Sequence, residues 1–242
     1  LVGAHVLGFV ENDPQTGAPT LKLDHLPEIK LGDFDLSAIQ LPDVSGLTEK
    51  LPKWAYGVNP NGLTLKTLRA GDGEAIFVCA DGYTMLLGAG SGTGAMLCGQ
   101  LLLCGANHLS AAVAMSSEDE QLGAMKLALG MTKPEYLFVP PTQTKGKAYA
   151  QMIDAAEKQG TQIVSVTQGM AFTLGRARVT FIGPARTQHT DSRDDGLTLR
   201  IDYGQTSVVV TGCITSNGEK EIVSSGAAVA CDALIVARGG TE

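Results

Sequence analysis

The chain has 242 residues, of which 44% are apolar and 18% charged, with 30 glycines. This is globular composition with the length to bury a substantial core, and it excludes a disordered or fibrous chain. A net charge of −7, with no run of Lys or Arg, gives no electrostatic reason to expect a nucleic-acid partner.

Residues 1–54 read as an extended N-terminal arm and 55–242 as the main domain. The opening Leu1–Val10 is apolar apart from His5 and lacks an initiator methionine. It reads as the segment just after a removed signal or anchor, or as the start of a truncated chain. A turn at Asp13-Pro14-Gln15-Thr16-Gly17 is expected to close a hairpin between Val6–Val10 and Thr20–Leu23. Leu-Pro then recurs at Leu26-Pro27, Leu41-Pro42 and Leu51-Pro52, a proline density that forbids long helix and favours extended chain. The irregular spacing argues against a repeat architecture. No run reaches the roughly 18 apolar residues that a membrane span requires.

Strands are expected at Leu63–Leu68, Ala75–Cys79 and Tyr83–Leu87. The last two flank Asp81-Gly82, the dipeptide that most readily supplies positive φ in a two-residue hairpin. A small apolar helix comes next over Gly92–Leu103, then a buried strand at Ala111–Met115. Glu118–Leu129 reads as one helix with Glu118, Asp119 and Glu120 in its first turn, where the dipole favours anions. A strand at Glu135–Val139 stops at Pro140-Pro141. The clearest helix is Lys145–Gln159, with Ala148, Met152, Ile153 and Ala156 on one face and Gly160 ending it. Further strands are expected at Gln162–Val166, Arg178–Ile182, Leu197–Tyr203 and Ser207–Thr211, the last two around Gly204-Gln205-Thr206. A short helix at Gly218–Ser225 and a final buried strand at Ala233–Val236 complete the chain. This pattern alone gives a mixed α and β domain.

The run Ala70-Gly71-Asp72-Gly73-Glu74-Ala75-Ile76, followed by Met85-Leu86-Leu87-Gly88-Ala89-Gly90, resembles the "VGQGDAILI…MLIDAG" opening of the metallo-β-lactamase fold superfamily. The branch is that of the hydrolase domain of competence (ComEC-type) DNA-uptake proteins, and the likeness runs in order over residues 63 to 240. The resemblance implies a four-layered α/β-β/α sandwich, two metal ions at its edge, metal-dependent phosphodiesterase-like chemistry and an extracytoplasmic location. It also implies where the ligands should lie, and each alignable position has changed. The loop "THPDADHIGG" is Met115-Ser116-Ser117-Glu118-Asp119-Glu120-Gln121-Leu122-Gly123-Ala124 here, so Ser116 and Gln121 replace histidines and Glu118 and Glu120 replace aspartates. The aspartate of "TGD" is Cys213, the aspartate before the Ala-Gly is Gly88, and the closing "HHGS" is Ala237-Arg238-Gly239-Gly240-Thr241.

Alternating His and Asp on a tight loop present imidazole and carboxylate to a metal pair that generates hydroxide at neutral pH. Without those groups the expectation is a pseudoenzyme with a binding or scaffolding role, no cofactor, and a protein partner not identified by the sequence. One alternative is a hydrolase using an oxygen-ligand site of Glu118, Glu120, Asp191 and Asp194 for Mg²⁺, Mn²⁺ or Ca²⁺. A further alternative is an inactive half docked through the Leu-Pro arm to an active partner domain. Arg238 is weighed as a guanidinium turned into the vacated pocket against Glu118 or Glu120, or as a loose residue near the chain end. The five cysteines show no metal-ligand spacing and read as small buried residues, Cys213 included. His189 has the most polar surroundings of the four histidines, and His108 reads as structural. Gly71, Gly73 and Gly82 read as turn residues, because no phosphate-binding motif surrounds them.

Overall fold

The computed structural model describes residues 10–12, 19–21 and 57–236, except 72, 93 and 143–145. By internal packing the chain divides into two units, residues 1–44 and 45–242. In the first, β1 (Val10–Asn12) pairs antiparallel with β2 (Pro19–Leu21). The expected hairpin therefore includes the end of its first predicted strand and runs on to Asn12. The remainder of the arm, with all three Leu-Pro pairs, lies outside the described residues.

In the second unit the Asp81-Gly82 turn does what its chemistry allows. Both residues take positive φ, 51° and 87°, and β4 (Gly73–Ala80) folds back onto β5 (Tyr83–Leu87) in antiparallel register. β3 (Leu63–Ala70) pairs with the other edge of β4. Three parallel strands, β6 (Ala111–Val113), β7 (Tyr136–Val139) and β8 (Gln162–Ser165), then complete a sheet of order β3-β4-β5-β6-β7-β8. The second sheet contains β9 (Ala171–Leu174), β10 (Ala177–Gly183), β11 (Thr198–Tyr203), β12 (Thr206–Val210) and β13 (Ala233–Ile235). Its order among the described residues is β13-β12-β11-β10-β9, antiparallel but for the β12–β13 pair.

Side-chain alternation along the strands builds the layers. On β4, Ala75, Phe77 and Cys79 face the helices α1 (Gly94–Leu103), α2 (Asp119–Leu122), α3 (Met125–Thr132) and α4 (Lys147–Gln159). Ile76, Val78 and Ala80 turn the other way, onto Val179, Phe181, Leu199 and Ile201 of the second sheet. A smaller cluster of Ile182, Val209, Ile214 and Ile222 joins the outer face of that sheet to α5 (Ser216–Ser224). Each fully buried Leu or Phe, such as Phe77, Leu86 and Phe181, contributes about 2–3 kcal/mol. The result is the expected α/β-β/α sandwich, in which a single described helix makes up the fourth layer.

Four expectations are corrected. The helix expected over Glu118–Leu129 is two, α2 and α3. Gly123 lies so close to the carbonyls of Gly90 and Ser91 that a side chain there would be tight, and the helix restarts only at Met125. β9 is an addition to the expected strands, because its four residues are bounded by Gly169 and Gly175 and leave little room for a pattern. β13 is not the buried strand expected: Ala233 and Leu234 are exposed, since among the described residues β13 is the edge of its sheet and pairs on one side with β12. On α4 the buried face is Tyr149, Met152, Ala155 and Ala156, with Ala148 and Ile153 partly covered at its margins.

Candidate functional site

The first residues of the site follow the C-terminal ends of β6 and β12, where the two sheets are tied together. The amide of Leu197 donates to the carbonyl of Met115 at 2.7 Å, and Gly212, at φ +67°, allows the chain to pass the Met115 side chain. Ser116 is buried, and its hydroxyl accepts from the Glu118 amide at 3.1 Å. Cys213 is buried, with its sulfur 4.0 Å from the Arg193 carbonyl. Gln121 is half-buried beside Gly73, and Glu120 is exposed.

The acids of this region are held separately. Glu118 accepts a 2.6 Å hydrogen bond from the Ser192 hydroxyl. Asp119 accepts from the amides of Lys147 and Ala148, at 3.0 and 2.9 Å, and so caps the N-terminus of α4 from a different element. The loop from β10 to β11 carries a 3-10 turn, Ser192–Asp195, entered through Asp191. Asp191 accepts from the amide of Arg193 and from its guanidinium. Asp194 is buried and accepts from both the amide and the hydroxyl of Thr215, at 2.8 and 3.0 Å, which fixes the start of α5. Gly218 has no side chain to collide with that carboxylate.

Asp195 belongs to the best-defined cluster. The His189 imidazole is 5% exposed and lies between two carboxylates, with Nδ1 2.7 Å from Asp195 and Nε2 3.0 Å from Glu221. The Arg186 guanidinium donates to the other oxygen of Glu221 at 2.8 Å. Burial works against a charged imidazole, but the two carboxylates outweigh it and the His189 pKa rises. Desolvation would raise the Glu221 pKa, and the hydrogen bonds from His189 and Arg186 carry it below its usual range. His189, Glu221 and Arg186 border an open polar cleft of about 550 Å³ together with Thr190, Ser192 and Asn217.

All five cysteines are free, four of them buried. Burial pushes the Cys98 thiol up to about 11 and raises Cys79 and Cys104 as well, so these are neutral, structural groups. His108 is exposed, 3.5 Å from Glu135 at the surface. Arg238 lies outside the described residues.

Of the residues singled out from sequence, Ser116, Glu118, Gln121 and Cys213 do gather along one edge. Glu118, Asp191 and Asp194 border the same loop but do not converge. Among the described residues, no group of three or more His, Cys, Asp or Glu side chains is placed to hold a metal ion. A pair of divalent ions needs several oxygen or imidazole donors aimed at shared points, whereas Glu118, Asp119, Asp191 and Asp194 point at amides, hydroxyls and a guanidinium group. The donor set does not fit the ions that the family resemblance implies. Sequence reasoning missed Asp119 as a cap for α4 and His189 as a bridge, since both roles depend on residues distant in the chain. It also saw Asp81 only as a turn residue. Asp81 accepts from Arg176, at 2.9 Å from Nε and 2.7 Å from Nη2, and from the Tyr203 hydroxyl at 2.7 Å, and hydrogen bonds from Arg176 hold its carboxyl well below the usual range.

No protein-family model matches the chain, and no curated protein matches its sequence. Among solved structures it is similar to the metallo-β-lactamase SMB-1 bound to 2-mercaptoethanesulfonate. The TM-score is 0.50 at 16% identity, over 72% of this chain and 77% of that one. The chain has the metallo-β-lactamase fold. Two other similar structures are MEM-A1, a subclass B3 metallo-β-lactamase from a soil metagenome library, and the metallo-β-lactamase fold protein YhfI from Bacillus subtilis. They score 0.48 and 0.44 at 12% and 16% identity, over 74% and 64% of this chain. The chain covers 77% of MEM-A1 and 64% of YhfI. In the metallo-β-lactamase fold seen here, the edge carrying Ser116, Glu118 and Cys213 lies beyond the ends of strands from both sheets, where loops of different origin meet.

Proposed function

We propose that residues 55–242 form a degenerate, competence-type (ComEC-like) member of the metallo-β-lactamase fold that acts by binding or scaffolding. The observation that carries this reading is the edge after β6 and β12. Ser116 and Cys213 are buried there, and Glu118, Asp119, Asp191 and Asp194 are each committed to a separate partner. Loss of one ligand can suit a different metal. Loss of every aligned imidazole together with the aspartate replaced by Cys213 removes the means to hold two ions and to make hydroxide. A protein partner and an extracytoplasmic location belong to the same reading, with the N-terminal arm as the candidate link.

The test is elemental analysis of purified protein after incubation with Zn²⁺, Mn²⁺ and Mg²⁺, alongside phosphodiesterase and β-lactam hydrolysis assays. The expected result is less than one bound ion per chain and no metal-dependent turnover. Two zinc ions per chain would overturn the reading. Turnover that needs Mn²⁺ or Mg²⁺ and is lost in Glu118→Gln would instead establish the oxygen-ligand alternative.

A further inference from the structure

At the opposite end of the sandwich lies a second cleft, of about 530 Å³, between the inner faces of the two sheets. Tyr83, Ala111 and Tyr136 are the first residues of β5, β6 and β7, which run parallel, so this cleft is remote from the edge just described. Four of the chain's twelve aromatic residues, Tyr83, Tyr136, Phe138 and Phe172, line it. Phe138 stacks on Phe172 with centroids 4.6 Å apart and planes 12° apart, and on Tyr136 at 6.2 Å and 19°. Tyr83 and Tyr136 keep 57% and 39% of their surface open to solvent, which a folding core alone does not require.

The charge at the cleft has one sign. Among the described residues Glu135 is its only charged lining residue, and no Lys or Arg lines it. His108 lies 3.5 Å from Glu135, with both side chains exposed, and the Arg176 guanidinium is paired with Asp81. Aromatic rings around a cavity with a single carboxylate are the arrangement that attracts a weakly hydrated organic cation, through ring quadrupoles and one countercharge. We propose that this cleft binds the quaternary ammonium group of a small molecule. The proposal is independent of whether the far edge holds metal.

The test is titration of the full chain with choline, followed by amide chemical shifts and calorimetry. Controls are the uncharged isostere, in which a tert-butyl group replaces the trimethylammonium, and a trimethyl-lysine peptide. Saturable choline binding with shifts confined to β5 to β9 is expected, at least about tenfold tighter than the isostere. Glu135→Gln and Tyr136→Leu change surface residues and should each weaken it about five- to tenfold without altering the melting temperature. Equal binding of the isostere, shifts located elsewhere, or no saturation would each overturn the proposal. Preference for the peptide over choline would overturn its assignment to a free small molecule.

Discussion

Replacing Gly90 with alanine is expected to lower the unfolding free energy by about 3 kcal/mol. Two costs combine. Gly90 sits at φ +60°, where an L side chain costs roughly 1 kcal/mol. The added carbon would also fall inside van der Waals contact with the carbonyl oxygen and Cβ of Ala70, a displacement costing about 2 kcal/mol. Ala70 cannot readily retreat, because its carbonyl accepts from the Gly92 amide at 2.7 Å while its strand is paired along β4. Gly105→Ala is the control. Gly105 also has positive φ, at +78°, but open space around it, so only the backbone cost of roughly 1 kcal/mol should appear. Urea unfolding of the two variants checks this, and equal losses would show that the close approach at Gly90 is unimportant.

The second large effect is at His189. His189→Ala is expected to destabilise the protein by about 2–4 kcal/mol at slightly acidic pH, because Asp195 would then remain as a buried carboxylate without its counter-ion. The folded-state pKa of His189 is raised above its ordinary 6.5. The stability that the imidazolium contributes is therefore fully present below the unfolded pKa and is lost as pH rises through the folded one. The wild-type protein should weaken across that alkaline-going window, and the variant should show a flatter profile. Arg186, paired with Glu221, moderates the loss at Nε2 but not at Nδ1. Thermal melts from about pH 5.5 to 8.5, spanning the ordinary histidine range, measure both slopes. Parallel slopes for the two proteins would sink the assignment.

Much of the fold could be read from local chemistry. Asp81-Gly82 and Gly204-Gln205 announce their hairpins, and the apolar face of α4 with Gly160 after it announces a helix and its end. What escaped was whatever is decided between distant segments. Nothing near Gly123 says that Gly90 and Ser91 will press against it, or that the helix will pause there. The apolar Leu234 and Ile235 suggest a buried β13, but edge position is a property of the sheet and not of the residues. The candidate site was legible as a set of replaced positions around Ser116 and Cys213. Its internal arrangement was not, because an aspartate reads the same whether it will meet an ion, an amide or an imidazole. Asp119, Asp194 and Asp195 take three different partners for reasons set 28, 21 and 6 residues away.

The uneven helical layers impose an order of opening on the molecule. The first sheet lies beneath α1 to α4, and the amides of β4 and β5 are shielded by apolar side chains on both faces. Among the described residues, the outer face of the second sheet is covered by the nine-residue α5 and by a small cluster around Ile182, Val209, Ile214 and Ile222 with the partly buried Ala227, Val229 and Cys231, and β13 is exposed at its margin. Opening that flank exposes little apolar surface, so it costs a fraction of the global free energy. Solvent deuterium should therefore enter β13 and α5 long before β4 and β5, by a partial unlatching that leaves the rest of the sandwich closed.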